Sequence, residues 1–298
     1  MVEKIEKKIF SSFDSQSSFS RRSVNICNKS LRIWTISLNT ESTNTPIVLL
    51  HGFGGGSALF LQNFKELSKS RPLYAIDLLG FGRSTRSSFS SDPIVSEMQF
   101  VESIEDWRKE LNINEMILLG HSFGGYLICS YSIKYAERTK ALILVDPWGF
   151  LEQIPTTNSS DTPTPIWVKV LTNLSRYINP LSLLRSAGPS LIGVSLFKFL
   201  KPDFKTKYFD ALGNESHLIY DYLYHCNKQY PTGEDGFRAI SEEHGFAKNP
   251  MIHRVDKISP NIPIFFIYGS RSWIDSSPGF ASKVIRNSYG YVSVRVSF

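Results

Sequence analysis

Short apolar segments alternate with amphipathic segments along most of the chain. Between residues 94 and 111, apolar side chains recur at steps of three and four, which predicts an amphipathic helix. Continuous apolar strands separated by such helices indicate an α/β fold with a mostly parallel sheet and helices on both faces. The apolar segments that we predict as strands lie at 23–27, 31–38, 46–51, 73–79, 116–119, 141–145 and 262–268.

One long stretch breaks this alternation. It begins with a Pro-, Thr- and Ser-rich linker at 154–165 and continues as irregular helical segments with many aromatic residues. Because it interrupts the sheet between two strands, we predict a helical lid at 150–259 inserted into a core formed by 22–149 and 260–298. The aromatic residues suit a lid over an apolar substrate, and they suit the core of a helical subdomain equally well.

The first 21 residues form a polar, Ser-rich N-terminal segment. Ile5, Ile9 and Phe10 lie at helical spacing on a Lys-rich background. This pattern is compatible with a short surface helix, but we expect a frayed terminus.

Composition narrows the classes of protein to which the chain can belong. Of the 298 residues 42% are hydrophobic, which is enough for a sizeable core, and the formal net charge is +6. This charge favours either contact with anionic lipid surfaces or simply a lysine-rich surface. The basic residues are scattered, without the aromatic interleaving of nucleic-acid sites, so we predict no nucleic-acid partner.

The cysteines and the start of the chain bear on its location. Three cysteines without C-x-x-C spacing favour a reducing compartment over a disulfide framework or a zinc site. The charged start does not resemble a signal peptide, and no stretch approaches the roughly 20 apolar residues of a membrane-spanning helix. We therefore predict an intracellular, cytosolic protein, soluble or peripherally bound to membranes, with mitochondria as a further location and with no metal or other cofactor.

A candidate nucleophile follows the strand at 116–119. Gly120-His121-Ser122-Phe123-Gly124 fits the G-x-S-x-G pattern, in which a sharp strand-to-helix turn exposes the serine hydroxyl. The strand before it, the helix after it and the small residues Gly120 and Gly124 all suit that turn. The competing interpretation is a tight turn with an incidental serine. We predict that Ser122 is a nucleophile.

A glycine-rich loop follows the strand at 46–51. The loop sequence is His51-Gly-Phe-Gly-Gly-Gly56, in which Gly52 and Gly54 leave backbone N–H groups free to point inward. We predict that the N–H groups of Phe53 and Phe123 form an oxyanion hole. A phosphate-binding loop is disfavoured because the G-x-G-x-x-G spacing fails and no Lys-Ser/Thr follows. We expect His51 to be structural.

The acid partner of a nucleophilic serine should lie beyond a later strand. Asp275, in the loop after 262–268, is the favoured candidate, and Asp146 is the alternative. The histidine should follow the acid in the chain, but no histidine follows Asp275. His217, His225, His244 and His253 all precede it and are more typical of polar surface positions. We therefore expect at most residual turnover from this chain.

Several longer motifs resemble one branch of the α/β-hydrolase superfamily, that of the (lyso)-N-acylphosphatidylethanolamine lipase and the lipid-droplet coactivator of triglyceride lipase. Relative to that branch the chain is expected to be truncated, without the H-x4-D segment and the final helix. Coactivator members carry Asn where this chain has Ser122. The serine makes this chain more similar to the lipase members. The motifs include Ala75-Ile-Asp-Leu-Leu-Gly-Phe-Gly-Arg-Ser84, Asp146-Pro-Trp-Gly-Phe150, Arg185-Ser-Ala-Gly-Pro189, Tyr224-His-Cys-Asn227 and Pro231-Thr-Gly-Glu234.

The resemblance implies a function in lipid metabolism. It implies a serine hydrolase that removes acyl chains from phospholipid or lysophospholipid substrates, impaired by the lack of a catalytic histidine. One alternative is a non-catalytic regulator that binds a triglyceride lipase at a lipid-droplet or membrane surface. A second alternative is a lysophosphatidic acid acyltransferase.

Overall fold

The fold is built on one eight-stranded sheet. A computed structural model describes residues 1–13, 18–152, 181, 182, 185, 198, 202–242 and 245–297. The strand order is β1-β2-β4-β3-β5-β6-β7-β8; β2 pairs antiparallel with both of its neighbours, and all other pairings are parallel. The mostly parallel sheet is therefore confirmed. The strands are β1 Phe19–Ile26, β2 Leu31–Leu38, β3 Ile47–Leu50, β4 Leu73–Ile76, β5 Met116–His121, β6 Thr139–Val145, β7 Ile264–Gly269 and β8 Val292–Ser297.

Helices cover both faces of the sheet. Side chains alternate along β3, so that Val48 and Leu50 pack with α3 and α4, whereas Ile47 and Leu49 pack with α1 and α2. The prediction of helices on both faces is thus confirmed. The helices of the described residues are α1 Val2–Ile9, α2 Leu61–Leu67, α3 Pro93–Glu110, α4 Phe123–Lys134, α5 Phe204–Lys207, α6 Phe209–Leu212, α7 Leu218–Asn227, α8 Thr232–Ile240 and α9 Ser277–Ile285.

A buried polar network joins α3 to α4, the helix that follows Ser122. The Glu97 carboxylate accepts hydrogen bonds from Tyr126 Oη at 2.6 Å and from Arg254 Nη1 at 2.7 Å. Arg254 Nη2 also donates to Tyr126 Oη at 2.8 Å. Because each of these buried groups has partners, the network sets the position of α4 without leaving an uncompensated charge.

The N-terminal residues form a docked helix, so the expectation of a frayed terminus is wrong. Val2, Ile5, Ile9 and Phe10 are all buried, and the Phe10 ring stacks on Phe64 of α2 with centroids 5.9 Å apart. The helical spacing of these apolar residues was visible in the sequence. What it did not show was an apolar surface, between α2 and α7, able to receive them.

A buried carboxylate accompanies this apolar face. Glu6 is fully buried on α1, and its Oε2 accepts a hydrogen bond from Arg83 Nη1 at 2.7 Å. Burial and the nearby Asp77 carboxylate raise the pKa of Glu6 to about 8, against the opposing effect of Arg83. The Arg83–Glu6 hydrogen bond therefore links α1 to the loop after β4.

The described part of the predicted lid is helical. Residues 202–242 contain α5 to α8, and α7 and α8 pack against α1 and α3 respectively. The predicted linker at 154–165 lies outside the described residues. Among the helices that the structure describes, none has the length and apolar character needed to cross a membrane.

The docking of α1 predicts that its buried side chains contribute measurably to the free energy of unfolding. Replacing Ile9, which is 1% exposed, by Ala should lower the free energy of unfolding by about 2–5 kcal/mol, because it removes buried methyl groups and leaves a cavity. Lys8→Ala, on the exposed side of α1, should change it by less than about 0.5 kcal/mol. Urea denaturation would measure both. Equal, near-zero effects would show that α1 is not docked in solution.

Candidate active site

Ser122 occupies a strained turn between β5 and α4. Its φ of 52° and ψ of −116° lie in a region that residues with a side chain rarely adopt. Hydrogen bonds hold the strained residue on both sides: Ser122 N donates to Val145 O at 3.0 Å, and Ser122 O accepts from Trp148 N at 3.1 Å. The residue is half-buried and lies at the carboxyl edge of the sheet.

The two flanking glycines are required by close backbone contacts. A Cβ atom on Gly120 would lie 2.4 Å from Gly124 O, and one on Gly124 would lie 2.3 Å from Leu50 O. Both separations are far shorter than van der Waals contact. The turn is therefore pressed against the end of β3, and only glycine fits at either position.

The glycine-rich loop lies directly against this turn. A Cβ atom on Gly52 would lie 3.0 Å from Ser122 Cβ and 2.9 Å from His121 Nδ1. Gly54 has a φ of +67°, and Gly55 N donates to Gly52 O at 3.0 Å, so Gly52 to Gly55 form a β-turn with Gly54 in its third position. The structure thus brings together the predicted loop and the predicted serine.

His51 orients the first peptide of this loop. The imidazole is buried; its Nε2 accepts a hydrogen bond from Leu78 N at 3.0 Å, so Nδ1 carries the proton that is donated to Gly52 O at 2.8 Å. Burial lowers the pKa of His51 and favours this neutral form. Because the C=O and N–H of a trans peptide point in opposite directions, the Phe53 N–H points away from His51.

Aromatic rings surround the two predicted amide donors. The Phe53 and Phe123 rings both pack on Phe237 of α8, with centroid distances of 4.4 and 4.9 Å. Trp148 contacts Phe237 at 4.7 Å and Phe123 at 6.0 Å between ring centroids. The Phe123 N–H is the first of α4 and has no carbonyl partner within the helix. Both predicted donors therefore belong to residues whose rings form one apolar surface.

The two acid candidates both lie beyond strand ends at the same edge of the sheet. Asp275 is exposed, and its carboxylate accepts hydrogen bonds from Ser277 N at 2.9 Å and Ser277 Oγ at 2.7 Å. Asp146 has a φ of 40°, and its Oδ1 accepts from Gly269 N at 3.0 Å. Since neither contact decides which acid serves Ser122, the choice of Asp275 over Asp146 stays a prediction.

Most of the histidines are engaged elsewhere. His217 Nδ1 is 3.2 Å from Asn214 O, His253 Nε2 is 3.0 Å from a Glu152 oxygen, and the His225 ring packs on Tyr224. His244 lies outside the described residues. In the part of the chain that the structure describes, no group of three or more His, Cys, Asp or Glu side chains could hold a metal ion.

Contacts from the lid to the loop were not predicted from the sequence. Asn227 Nδ2, at the end of α7, donates to Gly54 O at 2.7 Å. The Arg185 guanidinium bridges the Glu234 carboxylate and Asn227 O. Asn227, Arg185 and Glu234 all fall in the lid motifs of the family resemblance, which was the available signal in the sequence. No spacing rule indicated that these three residues meet beside the loop.

Comparison with known proteins agrees with this geometry. Residues 45–277 match the family described as alpha/beta hydrolase fold. The chain is 48% identical over 256 residues to the 1-acylglycerol-3-phosphate O-acyltransferase of Homo sapiens, covering 86% of this chain and 72% of that protein. It is 47% identical over 272 residues to the (lyso)-N-acylphosphatidylethanolamine lipase of Homo sapiens, covering 91% of this chain and 78% of that protein.

Solved structures with low sequence identity share the fold. A carboxylesterase from Bacillus subtilis superposes with a TM-score of 0.67 at 15% identity, covering 99% of this chain and 88% of the esterase. A bacterial membrane phospholipase A superposes with a TM-score of 0.61 at 17% identity, covering 99% and 83% of the two chains. At these identities the likeness shows the fold alone.

The close approach at Gly124 predicts a large effect on stability. Gly124→Ala should lower the free energy of unfolding by about 3 kcal/mol or more, because the new methyl group would meet backbone oxygens that cannot move cheaply. Gly269→Ala is the matched control, since its Cβ would have nothing nearer than 3.6 Å. Chemical denaturation of the two variants measures the difference, and similar midpoints would contradict the packing described for the turn.

The environment of His51 predicts a tautomer and a pH dependence. Long-range ¹H–¹⁵N NMR should show the proton on Nδ1 and a titration midpoint below the 6.5 of an ordinary imidazole. Because the pKa is lowered in the folded state, this contribution to stability is complete above pH 6.5 and is lost as the pH falls below it. A proton on Nε2, or a midpoint above 6.5, would exclude the proposed orientation of the Gly52–Phe53 peptide.

Proposed function

The chain belongs to the alpha/beta hydrolase fold family, and we propose that it is a serine-dependent enzyme acting on acyl esters of N-acyl phospholipids and their lyso forms. One observation carries the proposal. A Cβ atom placed on Gly52 would lie 3.0 Å from Ser122 Cβ, so the loop backbone lies directly beside the serine. A glycine-rich loop with two predicted amide donors beside it therefore lies against a serine on a strained turn, which supports a site for acyl transfer.

In the proposed reaction, Ser122 Oγ attacks the acyl carbonyl carbon. The carbonyl oxygen gains negative charge and accepts hydrogen bonds from the Phe53 and Phe123 N–H groups. The serine proton must pass to an imidazole, which Asp275 would orient and whose positive charge it would offset. None of the contacts described above places a histidine of this chain there, so we propose that turnover is impaired. The leaving alcohol takes that proton, and a water or an acceptor hydroxyl then releases the acyl group from Ser122.

The surroundings of Ser122 suit a lipid acyl chain. The partly exposed rings of Phe53 and Phe237 form an apolar surface next to the two predicted amide donors, and the buried Trp148 packs against Phe237. Such a surface strengthens hydrogen bonds to a developing oxyanion, because it keeps water away from them. The name of the human lipase relative supports N-acylphosphatidylethanolamine lipids as the substrate class, and we propose peripheral contact with a membrane or lipid droplet to reach them.

Acyl transfer to another lipid is the second candidate. The human relative named as a 1-acylglycerol-3-phosphate O-acyltransferase is as similar to this chain as the lipase is. Both activities would share an acyl group on Ser122, and they differ only in whether water or a lipid hydroxyl accepts it. A non-catalytic role as a lipase regulator at a lipid-droplet surface is the remaining alternative, and it would not depend on Ser122.

Reaction with a fluorophosphonate probe tests the nucleophile. We expect slow labelling of the 298-residue chain that is abolished in Ser122→Ala, because the histidines with assigned partners are engaged elsewhere. Added imidazole should raise the labelling rate several-fold by supplying a base. Fast labelling without imidazole would show that a base is already in place, and no Ser122-dependent labelling under any condition would exclude the enzyme.

A lipid assay separates the candidates. With lyso-N-acylphosphatidylethanolamine as substrate, an enzyme of the proposed kind releases fatty acid; with an added 1-acylglycerol 3-phosphate, an acyltransferase forms the diacyl product instead. Ser122→Ala is the control in both cases. Lipid-droplet recruitment that is the same in Ser122→Ala, together with neither product, would favour the regulator.

A further inference from the structure

The glycine-rich loop has little stiffness of its own. Gly54, Gly55 and Gly56 are consecutive, and glycine has the largest range of backbone conformations to lose on ordering. Its conformation therefore depends on side chains that form hydrogen bonds with its backbone. His51 supplies one such bond, to Gly52 O at 2.8 Å.

Asp77 supplies another, since its Oδ1 accepts from Ser57 N at 2.7 Å, and the predicted lid supplies three more. Asn227 Nδ2 donates to Gly54 O at 2.7 Å, and Tyr222 Oη, also on α7, accepts from Ala58 N at 3.3 Å. Tyr208 Oη donates to Leu59 O at 2.6 Å. Three lid side chains thus bind backbone groups of the segment 54–59, and α7 lies alongside the loop.

Asn227 is held in a single orientation. The residue is only 4% exposed, and Nδ2 donates a second hydrogen bond, to Leu223 O at 2.8 Å in the preceding turn of α7. Both amide hydrogens are therefore used. An Asp in the same place would have the same shape but could donate neither bond, and its charge would face two carbonyl oxygens.

The end of α7 is itself held by two arginines. The Asn227 carbonyl accepts from Arg185 Nη1 at 3.2 Å, and the Cys226 carbonyl accepts from Arg86 Nη2 at 3.3 Å. Arg185 also pairs with the buried Glu234 carboxylate through both of its terminal nitrogens. Positive groups at the carboxyl end of a helix are favourable for its dipole, and here they also position Asn227.

We propose that Asn227 is a positioning residue for the oxyanion hole: by holding Gly54 O it keeps the Gly52–Gly55 turn, and hence the Phe53 N–H, in place. This inference rests on the proposed function for its catalytic meaning. The placement of the loop by Asn227 is a separate physical claim. The Arg185–Glu234 pair acts indirectly, because it positions Asn227, which in turn holds Gly54 O.

Hydrogen–deuterium exchange tests the placement without requiring turnover. In Asn227→Asp the Gly55 N–H, which closes the turn, should exchange at least tenfold faster, together with the rest of a peptide covering 52–58. The matched control is Asn39→Asp, which removes a similar bond, from Asn39 Nδ2 to Ser68 O at 2.8 Å, at the opposite edge of the sheet from the loop. Exchange within 52–58 should be unchanged in that control.

Probe labelling connects the placement to the chemistry. At a temperature where both variants are folded, Asn227→Asp should lower the imidazole-assisted labelling rate of Ser122 about five- to tenfold, and Asn39→Asp should leave it unchanged. A purely structural role would instead raise exchange throughout the lid and would lower the labelling rate only near the thermal midpoint. If Ser122 does not label even in the unmodified chain, the proposed function fails, whereas the exchange result still decides the placement.

A second variant covers the case in which Asn227→Asp does not fold. Glu234→Gln keeps the side-chain shape and weakens the pair with Arg185, so exchange within 52–58 should rise several-fold while Asn227 is intact. Unchanged exchange of Gly55 N–H in every folded variant of Asn227 and Glu234 would overturn the proposal.

Discussion

The backbone of Ser122 is held at φ 52° and ψ −116° between a strand and a helix. A residue with a side chain occupies such a conformation at a cost of about 1–3 kcal/mol, and it persists only where the surroundings leave no alternative. Here the surroundings are the closely packed Gly120 and Gly124, the carbonyl of Val145 and the amide of Trp148. The conformation of Ser122 therefore depends on the positions of α4, of β3 and of the loop after β6.

The loop opposite Ser122 presents the reverse problem. Ser122 is constrained by its own backbone contacts, whereas the loop at 51–56 is rich in glycine and is specified by its partners. The buried His51 can donate to Gly52 O and accept from Leu78 N at the same time only in its neutral Nδ1–H form, and burial favours the neutral imidazole. The site therefore combines one strained residue with one flexible loop. The conformation of the loop depends on the polar side chains that bind its backbone.

Sequence reasoning reached the parts of the fold that depend on local patterns. Five continuous apolar segments, from 46–51 to 262–268, became β3 to β7, and the G-x-S-x-G turn at Ser122 lies where a strand meets a helix. Sequence reasoning did not predict the contacts between segments that are distant in the chain. The apolar spacing of Ile5 and Ile9 could not reveal a receiving surface, and a Lys-rich background suggested exposure. Asn227 likewise carries no periodic signal, because its role depends on where the end of α7 meets the loop.

The same dependence explains why an inserted segment is coupled to a site formed by the core. A lid that only covered a substrate would need apolar contacts, as Phe237 makes with Phe53 and Phe123. The described lid also donates to and accepts from the backbone at Gly54, Ala58 and Leu59. Each such bond contributes only about 1 kcal/mol of net stability, but a glycine-rich loop has few competing preferences. A small directional interaction is therefore enough to select its conformation.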